Sequence, residues 1–260
     1  MHRALTEVAH RPWPLPAGPW IMAQTWHDLL FAHWPIDVAL LRPLIPAALE
    51  IDKFQGQTWI GVVPFRMSGV RLRGTPALPA LSAFPELNVR TYVAHGGKPG
   101  VWFFSLDAAN AIAVSIARAW FHLPYFNARM RCENRGGEIK YFSERTHRNA
   151  TKAILRARYR PAGKIFQAQP GTLEHFLTER YCLYASDKKG KISRGEIQHA
   201  PWQLQPAQAE IQENTMIPAA INMECGAPAP LSQTSPPHPN EPLLHFSHRQ
   251  DVVVWHPKPL

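Results

Sequence analysis

Long hydrophobic runs and cysteines are both scarce in this sequence, and each scarcity excludes a class of protein. No stretch approaches the roughly 20 uncharged apolar residues that a membrane-spanning helix needs. The first 20 residues contain four prolines where a signal peptide has an apolar segment. Cys132, Cys182 and Cys225 lie far apart without a CxxC pair, so the sequence indicates neither a disulfide framework nor a zinc site. We therefore expect a cytoplasmic protein with no membrane segment and with reduced thiols.

Short catalytic motifs are missing as well. The sequence has no GxGxxG, P-loop, HExxH or GxSxG pattern, which removes motif support for dinucleotide binding, nucleotide hydrolysis, zinc proteolysis and serine hydrolysis. His245 and His248 stand three residues apart in an apparent strand, where such positions point to opposite faces and do not readily share a metal. We expect neither a metal nor a cofactor.

Proline is abundant, and it favours many turns and few long helices. The 26 prolines in 260 residues are about twice the average usage. The apolar fraction of 45% and the charged fraction of 18% are ordinary for a chain that buries one hydrophobic core. The proline-broken residues 1–20 predict an extended lead-in, and residues 21–260 predict a single domain.

Apolar strands separated by turn residues recur along the chain. The clearest pair, 87–94 and 101–106, flanks a glycine-containing turn and predicts a hairpin. Asp107 is a suitable N-cap for a helix over 108–121. The remaining pattern predicts helices at 37–44 and 171–180, strands at 24–34, 58–67, 126–133, 138–145, 153–159, 181–185, 191–199 and 243–255, and a loop at 223–242. Because helices do not alternate strictly with strands, we expect an α+β fold, β-rich, on a mostly antiparallel sheet or barrel.

Positive charge is concentrated in one part of the chain. The net charge is +9, and residues 129–164 hold eleven Lys/Arg against three Glu. Arg156, Arg158 and Arg160 share one face of their predicted strand. That row is either a solvated outer face or a stripe for an acidic partner, including nucleic acid. The region contains no recognised nucleic-acid-binding module, which makes nucleic acid the less favoured partner.

A polar row on the strand before the hairpin is the first candidate site. Glu86, Asn88 and Arg90 alternate with Leu87 and Val89, so the three polar side chains project to one face. The row is either the wet side of a strand or the wall of a polar cavity that orients a small substrate. Periodicity does not choose between the two.

Several segments resemble the YqjF-like family, a domain of unknown function. The resemblance is carried by FPELNVRTYVAHGGKPGVWFFSLDAANAIAVSIARAWFHLPYFNARM at 84–130 and by LLFAHWPI, TWIGVVPFRM, LEHFLTERY and IQHAPW, and it spans about 26–255. The family is in turn similar to acetoacetate decarboxylase, which shares an aromatic-Pro-Glu start, a glycine hairpin, an apolar strand and a short helix carrying an arginine. The resemblance implies a mostly antiparallel acetoacetate-decarboxylase-like barrel with a few short helices.

The same resemblance implies roles for particular residues. Glu86 matches the decarboxylase glutamate, Arg118 matches its helix arginine, and Pro124 matches the proline before its lysine pair. Where that enzyme has the Schiff-base lysine and its neighbour, this chain has Tyr125 and Phe126. Neither side chain forms an imine with a ketone, so the sequence argues against a Schiff-base decarboxylase.

Two functional hypotheses follow. The first is a protein that binds a small carbonyl or carboxylic compound in a barrel cavity lined by Glu86, Asn88, Arg90, Arg118 and Tyr125. A buried Glu86 would then need compensation by Arg90 or Arg118, and any catalysis would use Glu86 or Tyr125 as acid or base. The second is a non-catalytic interaction protein that presents the basic 129–164 face to an acidic partner. Catalysis itself and the oligomeric state stay open.

Overall fold

Strands dominate the computed structural model, which describes residues 2–78, 81–221 and 241–260. In chain order they are β1 (Met22–Ile36), β2 (Glu50–Ile51), β3 (Thr58–Leu72), β4 (Phe84–His95), β5 (Lys98–Ala108), β6 (Tyr125–Arg135), β7 (Glu138–Arg145), β8 (Ile154–Pro161), β9 (Cys182–Ser186), β10 (Ile192–Gln198), β11 (Gln205–Asn214), β12 (Leu243–Val254) and β13 (Lys258–Pro259). The α-helices are α1 (Val38–Leu41), α2 (Ala111–Phe121) and α3 (Leu173–Thr178), with single 3-10 turns at Arg3–Leu5, Arg42–Leu44 and Ala219–Ile221. The expected β-rich α+β architecture with a few short helices is confirmed.

All thirteen strands belong to one sheet in the order β13-β10-β9-β5-β6-β7-β8-β11-β12-β1-β3-β4-β2. The pairings are antiparallel except that β5 runs parallel to β6 and to β9. Additional pairings of β4 with β5 and of β10 with β12 connect strands that are distant in this order. They produce two closed circuits that share β12, β1, β3, β4 and β5. The first circuit continues through β6, β7, β8 and β11, and the second through β9 and β10.

The shared strands bury both of their faces, one toward each circuit. On β1, Leu30 and Trp34 pack in the main hydrophobic core with residues of β7 and β8, whereas Phe31 lines a cavity on the opposite face. On β4, Val89 lies in the same core, and Asn88 lines the cavity. Because side chains alternate along a strand, each shared strand contributes to both compartments.

The β4–β5 hairpin confirms the strongest local prediction. Its strands pair from Glu86 opposite Ala108 to His95 opposite Lys98, and the turn contains Gly96 and Gly97 at φ of 57° and 72°. Glycine adopts this left-handed conformation at little cost, which is why the turn can be so tight.

The predicted start of α2 is wrong. The helix begins at Ala111, and Asn110, not Asp107, accepts the capping hydrogen bonds from the backbone N–H groups of Ile112 and Ala113. Asp107 instead remains in β5, fully buried, where its carboxylate accepts two 2.7 Å hydrogen bonds from Arg145. A tertiary ion pair therefore outweighs the local capping preference.

The other predicted elements are present within a few residues of their expected ends, and the prediction omitted three strands, the two-residue β2 and β13 and the longer β11. Strand β11 was not expected, because its sequence QPAQAEIQEN is mostly polar. Residues before 21 pack on the sheet: Ala4 and Trp20 contact the cluster of Val253 and Trp255. Most of the predicted 223–242 loop lies outside the described residues. Within those residues, no helix has the length and apolar character to cross a bilayer.

Candidate functional site

A cavity of about 470 Å³ lies inside the second circuit. Its walls are side chains of β1, β3, β4, β5, β9 and β10, with single residues from β6 and β12, and α2 also contributes to the lining. The volume lies within the range of roughly 300–1,000 Å³ that is typical of small-molecule pockets. Most lining residues are apolar, with a small set of polar side chains among them.

The polar row of β4 forms one wall of this cavity. Glu86, Asn88 and Arg90 all line it, and they are only 3%, 6% and 9% exposed. The strand is buried on both faces, so the row is not the wet side of a surface strand. Cα atoms two residues apart on a strand are separated by roughly 7 Å. The three groups thus follow the cavity over a span of about 13 Å.

Glu86 and Tyr125 meet in the cavity. The Tyr125 hydroxyl donates a 2.9 Å hydrogen bond to Glu86 Oε2. Burial raises the pKa of Glu86 to about 8, with the nearby Asp107 acting in the same direction and the Tyr125 hydrogen bond opposing both. Burial and Glu86 together hold the pKa of Tyr125 well above its ordinary value. At neutral pH the pair is therefore a neutral carboxylic acid beside a neutral phenol.

Asn88 and Arg90 carry polar atoms with no hydrogen-bond partner. Asn88 Oδ1 and Arg90 Nε are both buried and unpaired. Arg90 Nη2 donates to the Leu177 carbonyl at 3.2 Å, and its guanidinium lies 5.4 Å from the Phe31 ring centroid. Among the residues that the structure describes, no carboxylate forms a salt bridge with Arg90. Unpaired buried polar atoms are rare in folded proteins, and here they border a cavity.

Two further polar residues of the cavity were not anticipated from the sequence. Arg180 is 6% exposed, and its Nη1 donates to Asp52 at 2.6 Å. His199 is 1% exposed, and burial lowers its pKa, which favours the neutral imidazole. Both residues lie in segments that carry the family resemblance, LEHFLTERY and IQHAPW. Their position in these segments is the feature of the sequence that could have indicated them as site residues.

Arg118 lies apart from the other candidate residues. Its side chain is exposed and borders a separate open groove of about 1,080 Å³ together with Phe126 and His147. Its Nη1 donates a 2.6 Å hydrogen bond to the Tyr125 carbonyl, so it contacts the backbone of the site and not the cavity. Glu86 has no salt bridge to Arg90 or Arg118 among the described residues, contrary to the expected compensation. Its high pKa removes the need for one, because the protonated acid carries no charge.

The basic face is interleaved with acidic and amide side chains. The register places Arg158 between Lys140 on β7 and Glu210 on β11. Arg160 bonds Gln208, and Arg156 lies 3.9 Å from Glu213. In the same sheet Arg129 pairs with Glu144, and Arg131 and Arg135 pair with Glu133. These contacts favour the interpretation of a solvated outer face over that of an unbroken cationic stripe.

The fold defines a protein of acetoacetate-decarboxylase-like architecture. An acetoacetate decarboxylase-like enzyme from Sphingomonas wittichii RW1 superposes with a TM-score of 0.61 at 13% identity, over 96% of this chain and 97% of that one. The enduracididine biosynthesis enzyme MppR, complexed with the condensation product of pyruvate and imidazole 4-carboxaldehyde, gives 0.60 at 10% identity over 93% and 90%. At these identities the likeness establishes the fold alone.

The family is established by sequence. Residues 23–251 match the DUF2071 family, described as an uncharacterized conserved protein. The chain is 47% identical to the uncharacterized protein YqjF of Bacillus subtilis strain 168 over 241 residues, 93% of each chain. The protein therefore belongs to the DUF2071 family.

Proposed function

We propose that the protein binds a small carboxylic or carbonyl compound in the cavity, with a carboxylate of the ligand held by Arg90. The observation that carries the proposal is Arg90, a buried residue of the cavity lining whose guanidinium lacks a carboxylate partner among the described residues and whose Nε has no hydrogen-bond partner. An anionic ligand would supply the missing partner, since guanidinium and carboxylate groups form strong charge-assisted hydrogen bonds. MppR, which shares the fold, is complexed with a product of pyruvate, a keto acid.

Glu86 supplies the second polar contact. In its protonated form it donates one O–H, and it remains protonated at neutral pH because its pKa is about 8. A buried neutral carboxylic acid of this kind can donate to a ligand carbonyl or transfer a proton to it. Asn88, between Glu86 and Arg90 on the same strand face, offers an unpaired oxygen to a donor on the ligand. If a reaction occurs, Glu86 is its general acid.

The proposal is tested by replacing Arg90 and titrating small acids. Arg90→Met should fold, because removal of an unpaired buried charge relieves its desolvation cost. We expect binding of pyruvate, acetoacetate and butanoate to weaken between about tenfold and a hundredfold, the value of a charged hydrogen bond. Isothermal titration calorimetry measures the loss.

Two controls accompany this titration. Arg158→Met, on the outer face of β8, should leave the affinities unchanged, and uncharged butanamide should not distinguish wild type from Arg90→Met. The proposal fails if the wild-type protein binds none of these acids, or if Arg90→Met binds them equally well.

The alternative function is a non-catalytic interaction protein that binds an acidic partner or nucleic acid. It stays a prediction, and the interleaved charges on the 129–164 face do not favour it. A steep loss of partner binding with added salt would support it. Cytoplasmic location likewise stays a prediction from the sequence.

A further inference from the structure

Exposed apolar side chains are concentrated at one end of the cavity. The described residues include nine large hydrophobic side chains that are exposed, and five of these nine line the cavity. The five are Leu72, Leu78, Ile112, Ile116 and Trp120. Scattered exposed hydrophobics are normal in folded proteins, whereas a contiguous group marks a place where something binds.

Three of the five form a stripe along α2. Ile112, Ile116 and Trp120 are spaced four residues apart, so they lie on one side of the helix over a length of about 12 Å. They are 54%, 47% and 58% exposed. Leu72 and Leu78, at and beyond the end of β3, are 44% and 56% exposed at the same cavity. The two groups form an apolar mouth.

The interior of the cavity also contains polar groups. Its buried lining includes Arg90, Arg180 and His199, together with Asn88. Between this polar end and the mouth, β3 contributes an apolar wall of Val63, Phe65 and Met67. The cavity thus holds buried polar groups among apolar walls, and its mouth exposes large apolar side chains together with Arg71 and Thr75.

We propose that the ligand is an amphiphilic carboxylate with a straight apolar chain, its head at Arg90 and its tail extending past β3 to the α2 stripe. This inference rests on the proposed function and adds the chemical class of the ligand. The head group supplies the carboxylate partner that Arg90 lacks among the described residues, and the tail covers Ile112, Ile116 and Trp120 from water. A short keto acid would leave the apolar mouth empty.

A chain-length series on the full-length protein tests the inference. Butanoate, hexanoate, octanoate and decanoate, each below its micelle-forming concentration, are titrated calorimetrically. Burial of one methylene in an apolar site improves affinity by about fourfold. We expect the affinity to rise by about this factor per methylene until the tail has passed the stripe, and then to level off.

A matched pair of variants on α2 locates the tail. Ile116→Glu places a charge in the stripe, whereas Ser115→Glu places the same charge on the adjacent exposed residue, which does not line the cavity. Ile116→Glu should weaken decanoate at least tenfold and leave butanoate unchanged, and Ser115→Glu should alter neither. Both sites are exposed, so neither substitution threatens the core.

The possible failures are distinguishable. Equal, Arg90-dependent affinity for butanoate and decanoate would overturn the amphiphile inference and leave the proposed function standing. Absence of binding at every chain length would remove both. If Ile116→Glu instead abolishes self-association in light scattering, or adsorption to phosphatidylglycerol vesicles, with decanoate affinity unchanged, the stripe is a protein or membrane contact and the inference is wrong.

Discussion

Glu86 shows how one buried residue couples folding to pH. Its ordinary pKa is 4.5 and its pKa in the folded chain is about 8, chiefly because burial disfavours the charged form. Below pH 4.5 both the folded and unfolded states hold the proton. Between pH 4.5 and 8 only the folded state holds it, so the free energy of unfolding falls as pH rises. Above pH 8 the contribution is constant again.

Glu86→Gln should remove this dependence. We expect the free energy of unfolding of the variant, relative to that of wild type, to increase by roughly 1.4 kcal/mol per pH unit between pH 5 and 8. The reason is that the wild-type value falls with pH in this range, whereas glutamine does not titrate. Urea unfolding at four pH values measures the slope. Glu210→Gln, on the exposed face of β11, serves as the control. Parallel pH profiles for wild type and Glu86→Gln would contradict the assignment.

Tyr125 carries a prediction about covalent chemistry. It lines the cavity at the position that the family resemblance assigns to a Schiff-base lysine, and no lysine is among the described residues that line this cavity. Treatment with pyruvate or acetoacetate and borohydride should therefore leave the intact mass unchanged. Mass spectrometry of the treated protein provides the measurement. A stoichiometric reduced adduct would show that a lysine reaches the ligand after all.

At the scale of elements, the sequence predicts the helices and strands that depend on residues close together in the chain. It does not predict features that depend on contacts between residues far apart in the chain. The β4–β5 hairpin follows from its glycine turn and apolar strands. Asp107 has the correct side chain for a helix cap, yet Arg145, 38 residues away, binds it in β5. Strand β11 was not predicted because its sequence is mostly polar. Its half-buried Ala207 and Ile211 pack against the main core only once β11 pairs with β8.

The candidate site was predictable to a similar extent. Alternation placed Glu86, Asn88 and Arg90 on one face of β4, and the resemblance added Tyr125. Which face is the interior was not predictable, because β4 is buried on both sides and its pattern of burial does not alternate. The exposed position of Arg118 depends on how α2 packs against the rest of the chain, which the sequence of the helix alone does not give.

Breaking the buried Asp107–Arg145 pair between β5 and β7 should strongly destabilise the protein. Both side chains are largely buried, at 0% and 9% exposure. Arg145→Ala would leave a buried carboxylate without its partner, and we expect a loss of about 3–5 kcal/mol in unfolding free energy. Arg129→Ala, which removes the exposed pair with Glu144, should cost less than about 1 kcal/mol. Urea denaturation of both variants makes the comparison, and equal losses would contradict it.

At the scale of the whole molecule, the second circuit depends on a close approach of β5 to β9. The two strands pair through only Val101–Leu183 and Trp102–Tyr184. Gly100 makes the approach possible, because a Cβ there would lie 2.6 Å from the Cys182 carbonyl oxygen. The contact between β5 and β9 therefore both closes the second circuit and forms part of the cavity wall.

Gly100→Ala should open this contact. Overpacking against backbone has little room to relax, so we expect a loss of about 1–3 kcal/mol together with weaker ligand binding. Gly195→Ala is the matched control, since a Cβ there would meet only the flexible Leu183 side chain at 3.3 Å. Chemical denaturation and ligand titration give the two readouts. If Gly100→Ala has the stability and ligand affinity of wild type, neither property depends on the close approach of β5 to β9.

The strands shared by the two circuits also offer a rule for redesign. Over 29–31 of β1 and 63–67 of β3 the odd-numbered side chains, such as Phe31 and Phe65, face the cavity, and over 84–90 of β4 the even-numbered ones do, such as Asn88. The parity changes at the irregularities near Asp28 and Gly69. Their sequence neighbours, such as Leu30, Val62 and Val89, hold the main core. A combinatorial library restricted to these cavity-facing positions would therefore vary the surface that contacts the ligand while leaving the main core intact, although Phe31 and Phe65 belong to a second hydrophobic cluster and need apolar replacements. Randomising their neighbours would disrupt the main core.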